Sequence, residues 1–209
     1  MTSTRRAVVA AALFTAAAFS TGGAFAQSGP KVGAAAPNFT ATDSNGKAVS
    51  LADYKGKTVV LEWTNDGCPF VKKHYGAQAM QSLQKKWTGK GVVWLSVISS
   101  PPGEQGYADG PGANKLTVDR GAAPSAVLLD PKGDLGRTFG AQVTPHMYVV
   151  TGDGKLAYMG GIDDKPSAKA EDLNGAKNFV DAALTEVSEG KPVSVTTARP
   201  YGCTVKYTS

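Results

Sequence analysis

Two cysteines and two histidines are all that 209 residues hold. So few sulfurs exclude a multi-bridge disulfide scaffold, because Cys68 and Cys203 make at most one bridge. No compact Cys-His spacing of the kind that builds a metal site is present either. A strong excess of charge of one sign is lacking as well. The formal net charge is +5, too mild, with lysines too scattered, for a nucleic-acid partner. Beyond residue 26 there is no apolar run of transmembrane length, no internal repeat and no linker on the scale of a domain.

The N-terminus is distinctive. Arg5 and Arg6 precede an apolar run from Ala7 to Phe19, and small residues follow up to Ala24-Phe25-Ala26. This is the order of a secretory signal peptide over residues 1–26, with an A-x-A cleavage site. Cleavage near Ala26 predicts an exported, periplasmic protein beginning near Gln27. Losing two arginines takes the net charge from +5 to +3. Residues 27–190 are long enough for one domain with a full core, and 191–209 form a tail that carries Cys203. Export would place both cysteines where disulfides persist.

Cys68 organises the rest. A β-branched and aromatic run, Thr58 to Thr64, breaks at Asn65-Asp66-Gly67, and a helical pattern starts after Cys68-Pro69. A thiol at a helix N-terminus faces unpaired N–H groups and the positive end of the helix dipole, which favour the nucleophilic thiolate. Pro69 suits the first helical position, where a missing N–H costs nothing. The competing reading is a buried, inert cysteine.

In chain order, Phe39–Asp43 and Ala48–Leu51 around Asn45-Gly46 read as a β-hairpin. In the strand at 58–64, Val59, Leu61 and Trp63 share one face, and Val60, Glu62 and Thr64 the other. One helix is expected from Phe70 to Trp87, then a strand buried on both faces at 92–98. The Gly- and Pro-rich stretch 99–114 reads as a flap beside the site or a surface loop. Short helices are expected at 114–120 and 134–139, and strands at 126–129, 147–151 and 155–159. A C-terminal helix spans 171–187.

The entry pattern Gly33-Ala34-Ala35-Ala36-Pro37-Asn38-Phe39, the segment Leu51 to Lys57, the strand-to-Cys68 junction, Thr144-Pro145 and the Asp153-Gly154 turn together resemble the thioredoxin-fold redoxins of the alkyl hydroperoxide reductase and thiol-specific antioxidant superfamily. A subgroup of exported peroxiredoxin-like proteins is similar further along, through Gly67 to Lys72, Thr144 to Tyr148, Gly160 to Asp164 and Tyr201 to Tyr207. The resemblance implies an α/β thioredoxin fold. A central mixed β-sheet would be flanked by helices, with an N-terminal hairpin and a C-terminal helix plus extended tail. It makes Cys68 the attacking sulfur, Pro145 the cis-proline beside it, and Glu62 the buried acid that handles a thiol proton. An edge-facing or salt-bridged Glu62 is the alternative. His146, directly after Pro145, is a candidate to lower the thiol pKa, whereas His74 reads first as a solvent-facing helix position.

Two departures narrow the chemistry. Where thioredoxins carry a second cysteine three residues on, this chain has Val71. Where peroxiredoxins carry threonine and proline before the peroxidatic cysteine, it has Asn65 and Leu61. The implied activity is a thiol-disulfide oxidoreductase with Cys203 as resolving partner. Its partners would be a protein or small-molecule disulfide or thiol and a reducing thiol, and no cofactor or resident metal is implied. The alternatives are a thiol-dependent peroxidase acting on a hydroperoxide and a non-enzymatic copper-binding protein using Cys68, His146, Met147 or Cys203. A static Cys68–Cys203 bridge is also open; closing so long a loop stabilises by roughly 5 kcal/mol in the chain-entropy picture.

Overall fold

The computed structural model describes Met1 and residues 29–207. Apart from Met1, the expected signal peptide and its cleavage point lie outside the described residues.

The described residues form nine strands and five α-helices. The hairpin forms from β1 (Thr40–Asp43) and β2 (Ala48–Ser50), paired antiparallel. A 3₁₀ turn at Leu51–Tyr54, closed by a reciprocal Ser50/Asp53 capping box, leads to β3 (Val59–Trp63). Then follow α1 (Pro69–Gly76), α2 (Ala79–Thr88), β4 (Val93–Ile98), α3 (Gly110–Asp119), β5 (Ala126–Leu129) and α4 (Asp134–Phe139). The remainder is β6 (Val143–Thr144), β7 (His146–Val150), β8 (Leu156–Gly160), a 3₁₀ turn at Ala170–Leu173, α5 (Phe179–Ser188) and β9 (Cys203–Thr204).

Seven strands make one mixed sheet in the order β2-β1-β5-β4-β3-β7-β8. The central strands β3 and β4 run parallel, and β7 lies antiparallel to β3. Alternation along β3 divides the core as the sequence pattern predicts. Val59, Leu61 and Trp63 pack with Phe139 and Tyr148 on one face. Val60 packs on the other with Cys68, Met80, Trp87, Met147, Val180 and Leu184, so α1, α2 and α5 cover that face. Each large apolar side chain so buried contributes roughly 1.5–3 kcal/mol.

Three expectations are corrected. The single helix over 70–87 is two helices, because Gln78 adopts a left-handed φ of 58° and turns the chain between α1 and α2. The C-terminal helix begins at Phe179 rather than Glu171. The Asn178 side chain accepts the Asp181 N–H and caps it there, while Gly175 sits at φ 74° upstream. The irregular stretch is shorter than 99–114, since Asp109 caps α3 by accepting the Gly112 N–H. Among the described residues, no helix is long and apolar enough to cross a membrane.

Candidate active site

The chain reaches Cys68 through a tight polar turn. The Asn65 side chain accepts the Gly67 N–H (2.8 Å) and donates to the Gln105 carbonyl (2.9 Å), and the Cys68 N–H donates to the Asn65 carbonyl (3.1 Å). A Cβ on Gly106, at φ +84°, would lie 2.2 Å from Asn65 Cγ, so the loop after β4 fits this turn only with glycine there. The 99–109 loop therefore lies beside the site. Asn65, at a position where peroxiredoxins carry threonine, has its amide committed to the turn.

Cys68 is the N-cap of α1, with Pro69 at its first position, and is fully buried. Its thiol makes no capping hydrogen bond and donates instead to the Thr144 carbonyl at 3.1 Å. Thr144 is joined to Pro145 by a cis peptide between β6 and β7. On the other side of Thr144 runs β9, antiparallel, with Thr144 opposite Cys203. Gly202, at φ +142°, makes that approach: a Cβ there would lie 1.9 Å from the Thr144 carbonyl oxygen. Both cysteines are free thiols.

The two thiols are linked electrostatically. Burial pushes the Cys68 thiol up. Hydrogen bonding from the Cys203 thiol, the helix-end N–H of Val71, the Thr144 side chain and the Cys203 backbone outweighs that and brings it below the usual thiol range. Cys203 moves the opposite way, to about 12, through burial first, then its hydrogen bond to Cys68 and the Cys68 charge. One thiol is poised to ionise and its neighbour to keep its proton.

Glu62 is fully buried and is neither edge-facing nor salt-bridged. It accepts from Tyr75 Oη (2.8 Å), Gln84 Nε2 (3.0 Å), Trp94 Nε1 (2.7 Å) and Ser96 Oγ (3.1 Å). Burial raises its pKa, and these four donors oppose the rise without cancelling it. Tyr75 and Trp94 belong to the same packed cluster as Cys68. Of these partners, only Ser96 had a sequence signal, as the single polar residue within the apolar run of β4; it pairs with Glu62 in the parallel register. Tyr75, Gln84 and Trp94 carried none.

His146 pairs with Trp63 across β3 and β7, on the face opposite Met147. Its Nδ1 accepts the Gln142 N–H (3.3 Å) and lies 3.2 Å from Tyr148 Oη. Burial lowers its pKa to about 4, which leaves the ring neutral. The ring's partners are thus Gln142 and Tyr148, and the groups that lower the Cys68 pKa are Cys203, Val71 and Thr144.

His74 is corrected outright: it is buried, and its Nε2 lies 3.3 Å from Tyr201 Oη. Burial first, and the Lys73 charge, lower its pKa to about 4 against the opposing pull of Asp163. Lys73, Asp163 and Tyr201 complete this buried group; sequence reasoning missed all three. Among the described residues, no three or more His, Cys, Asp or Glu side chains are placed to hold a metal ion.

Comparison with known proteins agrees with this architecture. Residues 32–159 match the AhpC/TSA family. The chain is 30% identical over 126 residues to the thiol-disulfide oxidoreductase ResA of Bacillus thuringiensis subsp. konkukian, covering 60% of this chain and 67% of that protein. It is 29% identical over 126 residues to ResA of Bacillus subtilis, covering 55% and 70%. Among solved structures, an uncharacterized conserved protein from Geobacillus kaustophilus superposes with a TM-score of 0.70 at 25% identity, over 85% of this chain and 93% of the other. A candidate thiol:disulfide interchange protein DsbE from Chlorobium tepidum gives 0.54 at 25% identity, over 74% and 99%.

Proposed function

Since the chain belongs to the AhpC/TSA family of thioredoxin-like redoxins, we propose that it is a thiol-disulfide oxidoreductase with Cys68 as attacking sulfur and Cys203 as resolving sulfur. The observation that carries this reading is the arrangement of the two thiols. Cys68 caps α1 with a lowered pKa, and β9 holds Cys203 beside it across Thr144.

In this scheme the Cys68 thiolate attacks one sulfur of a substrate disulfide, forming a mixed disulfide and releasing the first substrate thiolate, which takes a proton from solvent. Once the Cys68 thiolate is consumed, the charge that kept Cys203 protonated is gone. Cys203 gives up its proton and attacks Cys68 Sγ, the mixed bond breaks, and the second substrate sulfur leaves as a thiolate that takes up the proton Cys203 released. The substrate gains two electrons and two protons, and the cysteine pair becomes a disulfide. A reducing thiol partner returns it to the dithiol.

Glu62 is the proton-handling group in this reading. Its raised pKa suits exchange with a thiol, and the Tyr75 and Ser96 hydroxyls among its partners can turn from donating to accepting when it protonates. Pro145 keeps the Thr144 carbonyl against the sulfur. The N-terminal pattern supports export with cleavage near Ala26; N-terminal sequencing of the mature protein tests that separately.

The test is differential alkylation with mass spectrometry after parallel exposure to a model disulfide, a hydroperoxide and Cu(I). The expected result is a Cys68–Cys203 bridge formed stoichiometrically with the disulfide and reversed by dithiol. Rapid bridging with hydroperoxide alone moves the assignment to a peroxidase, and tight copper binding with inert thiols overturns both. A bridge with a reduction potential below about −300 mV makes it a static clasp.

A further inference from the structure

The Cys203 strand is pinned on one side by its ladder with β6, but a ladder fixes only the position along Thr144. The tail before it also bonds to β8 through Thr196 and Ala198, and a separate contact joins it to the helix that carries Cys68. The tail reaches α1 through the Tyr201 side chain, two residues before Cys203. Its ring packs edge-on against Phe70 of α1 (5.9 Å, 63°), and its hydroxyl enters the buried group that Lys73 and His74 of the same helix form with Asp163 of the segment after β8.

The polarity there is fully specified. Tyr201 Oη donates to Asp163 Oδ1, so its lone pair is left to accept from His74 Nε2 at 3.3 Å. Asp163 Oδ2 is 3.8 Å from both His74 Nε2 and Lys73 Nζ, and Oδ1 also accepts the Lys165 N–H (2.9 Å). Lys73 Nζ donates to the Lys165 carbonyl (2.7 Å) and stands 5.5 Å from the Tyr201 ring centre. Lys73, His74 and Asp163 are each 3% exposed or less. A buried carboxylate and ammonium are tolerated only when paired and hydrogen-bonded, so the cluster is a stiff receptor for one hydroxyl.

We propose that Tyr201 is a positioning residue for the resolving thiol. Held by His74 of α1 and Asp163 of the segment after β8 in a buried socket, it ties the Cys203 strand to the Cys68 helix and sets the effective concentration of Cys203 at Cys68. The inference rests on Cys203 acting as the resolving sulfur. It adds that the tail is a strap with a discrete anchor, and that releasing the anchor uncovers Cys68. Tyr207 supplies the comparison. It anchors the far end of the same tail by donating to the Ala141 carbonyl (2.6 Å), away from α1.

The experiment compares Tyr201→Phe, which keeps the ring and removes only the hydroxyl, with Tyr207→Phe, in the full mature chain. Two quantities are read: the equilibrium constant of the Cys68–Cys203 disulfide against glutathione, and the alkylation rate of reduced Cys68 by iodoacetamide. Circular dichroism and the thermal midpoint confirm folding. Tyr201→Phe is expected to make the bridge about tenfold easier to reduce, a rise of about 30 mV for this two-electron couple. It should also speed Cys68 alkylation about tenfold, while Tyr207→Phe stays within twofold of wild type. Wild-type values for Tyr201→Phe, or equal changes in both variants, overturn the proposal. If no bridge forms in wild type, the resolving role of Cys203 fails, and the alkylation rate still decides whether Tyr201 holds the strap.

Discussion

Replacing Glu62 separates what its hydrogen bonds do from what its charge does. In Glu62→Leu, Trp94 Nε1 loses the acceptor at 2.7 Å, and its ring N–H cannot turn away. Gln84 Nε2 retains Tyr75 Oη at 3.1 Å. Tyr75 and Ser96 lose an acceptor but can rotate their hydroxyls. One rigid orphan at about 1–3 kcal/mol, with two hydroxyls partly relieved by rotation, predicts a loss of about 3 kcal/mol. Glu62→Gln can keep its oxygen toward Gln84, Trp94 and Ser96 and donate its amide to a turned Tyr75 hydroxyl, so about 1 kcal/mol is expected. The charge acts oppositely. A carboxyl whose folded pKa is raised contributes stability that is complete below its unfolded value near 4.5 and is lost as pH rises through the folded value. Each unit of separation is worth 1.36 kcal/mol. Urea unfolding of wild type and Glu62→Gln from pH 4 to 8 reads this directly, because slopes from all other groups cancel in the difference. Wild type should lose ground to the Gln variant as pH rises. Parallel curves would refute a raised carboxyl pKa, and a Leu variant as stable as wild type would refute the donor network.

Other consequences are sharper at the thiols and the buried cations. Cys203→Ala removes the strongest of the interactions lowering the Cys68 pKa, so the midpoint of the pH profile of Cys68 alkylation should rise; an unchanged midpoint would show that the helix end alone sets it. Gly202→Ala places a methyl where the Thr144 carbonyl stands, so β9 should detach and Cys68 alkylate faster, with little change in the thermal midpoint of the sheet. Lys73→Met leaves Asp163 without its ammonium and should cost about 3 kcal/mol in urea unfolding. His74 and His146, held near pKa 4, stay neutral while the unfolded chain takes up protons below about 6.5. Each therefore contributes stability present above that value and lost as pH falls toward 4, about 3 kcal/mol apiece, and double replacement by Gln should flatten the slope of stability against pH in that window.

The central strands, the hairpin and the junction at Cys68 were legible because each rests on a local rule. Alternation along β3 assigns Val59, Leu61 and Trp63 to one face, and Pro69 marks a helix start. The α1–α2 break was not legible, because its cause is a left-handed Gln78 inside a continuous apolar stripe, and glutamine gives no signal for that conformation. The extent of α5 was misjudged for a related reason. The apolar spacing at Leu173 and Ala176 continues the helical pattern upstream, but the Asn178 cap wins.

At the site, the sequence by itself determined the identity of the nucleophile candidate, its place at a helix end and the absence of a neighbouring cysteine, since Val71 sits within one helical turn. Tertiary structure decided which distant groups meet that sulfur. Cys203 lies beside Cys68 because β9 pairs with β6, and a two-residue strand at the end of a proline-broken tail carries no periodicity. His146, next to Pro145 in sequence, meets Tyr148 two residues along the same strand, whereas His74, on a helix position that reads as exposed, is buried against Tyr201. The pKa of each group followed the same division. Residue type sets the starting value; burial and the hydrogen-bond partners assembled by the fold set the shift. Those partners come from segments as far apart as Cys68 and Cys203, 135 residues in sequence, a separation that no local pattern records.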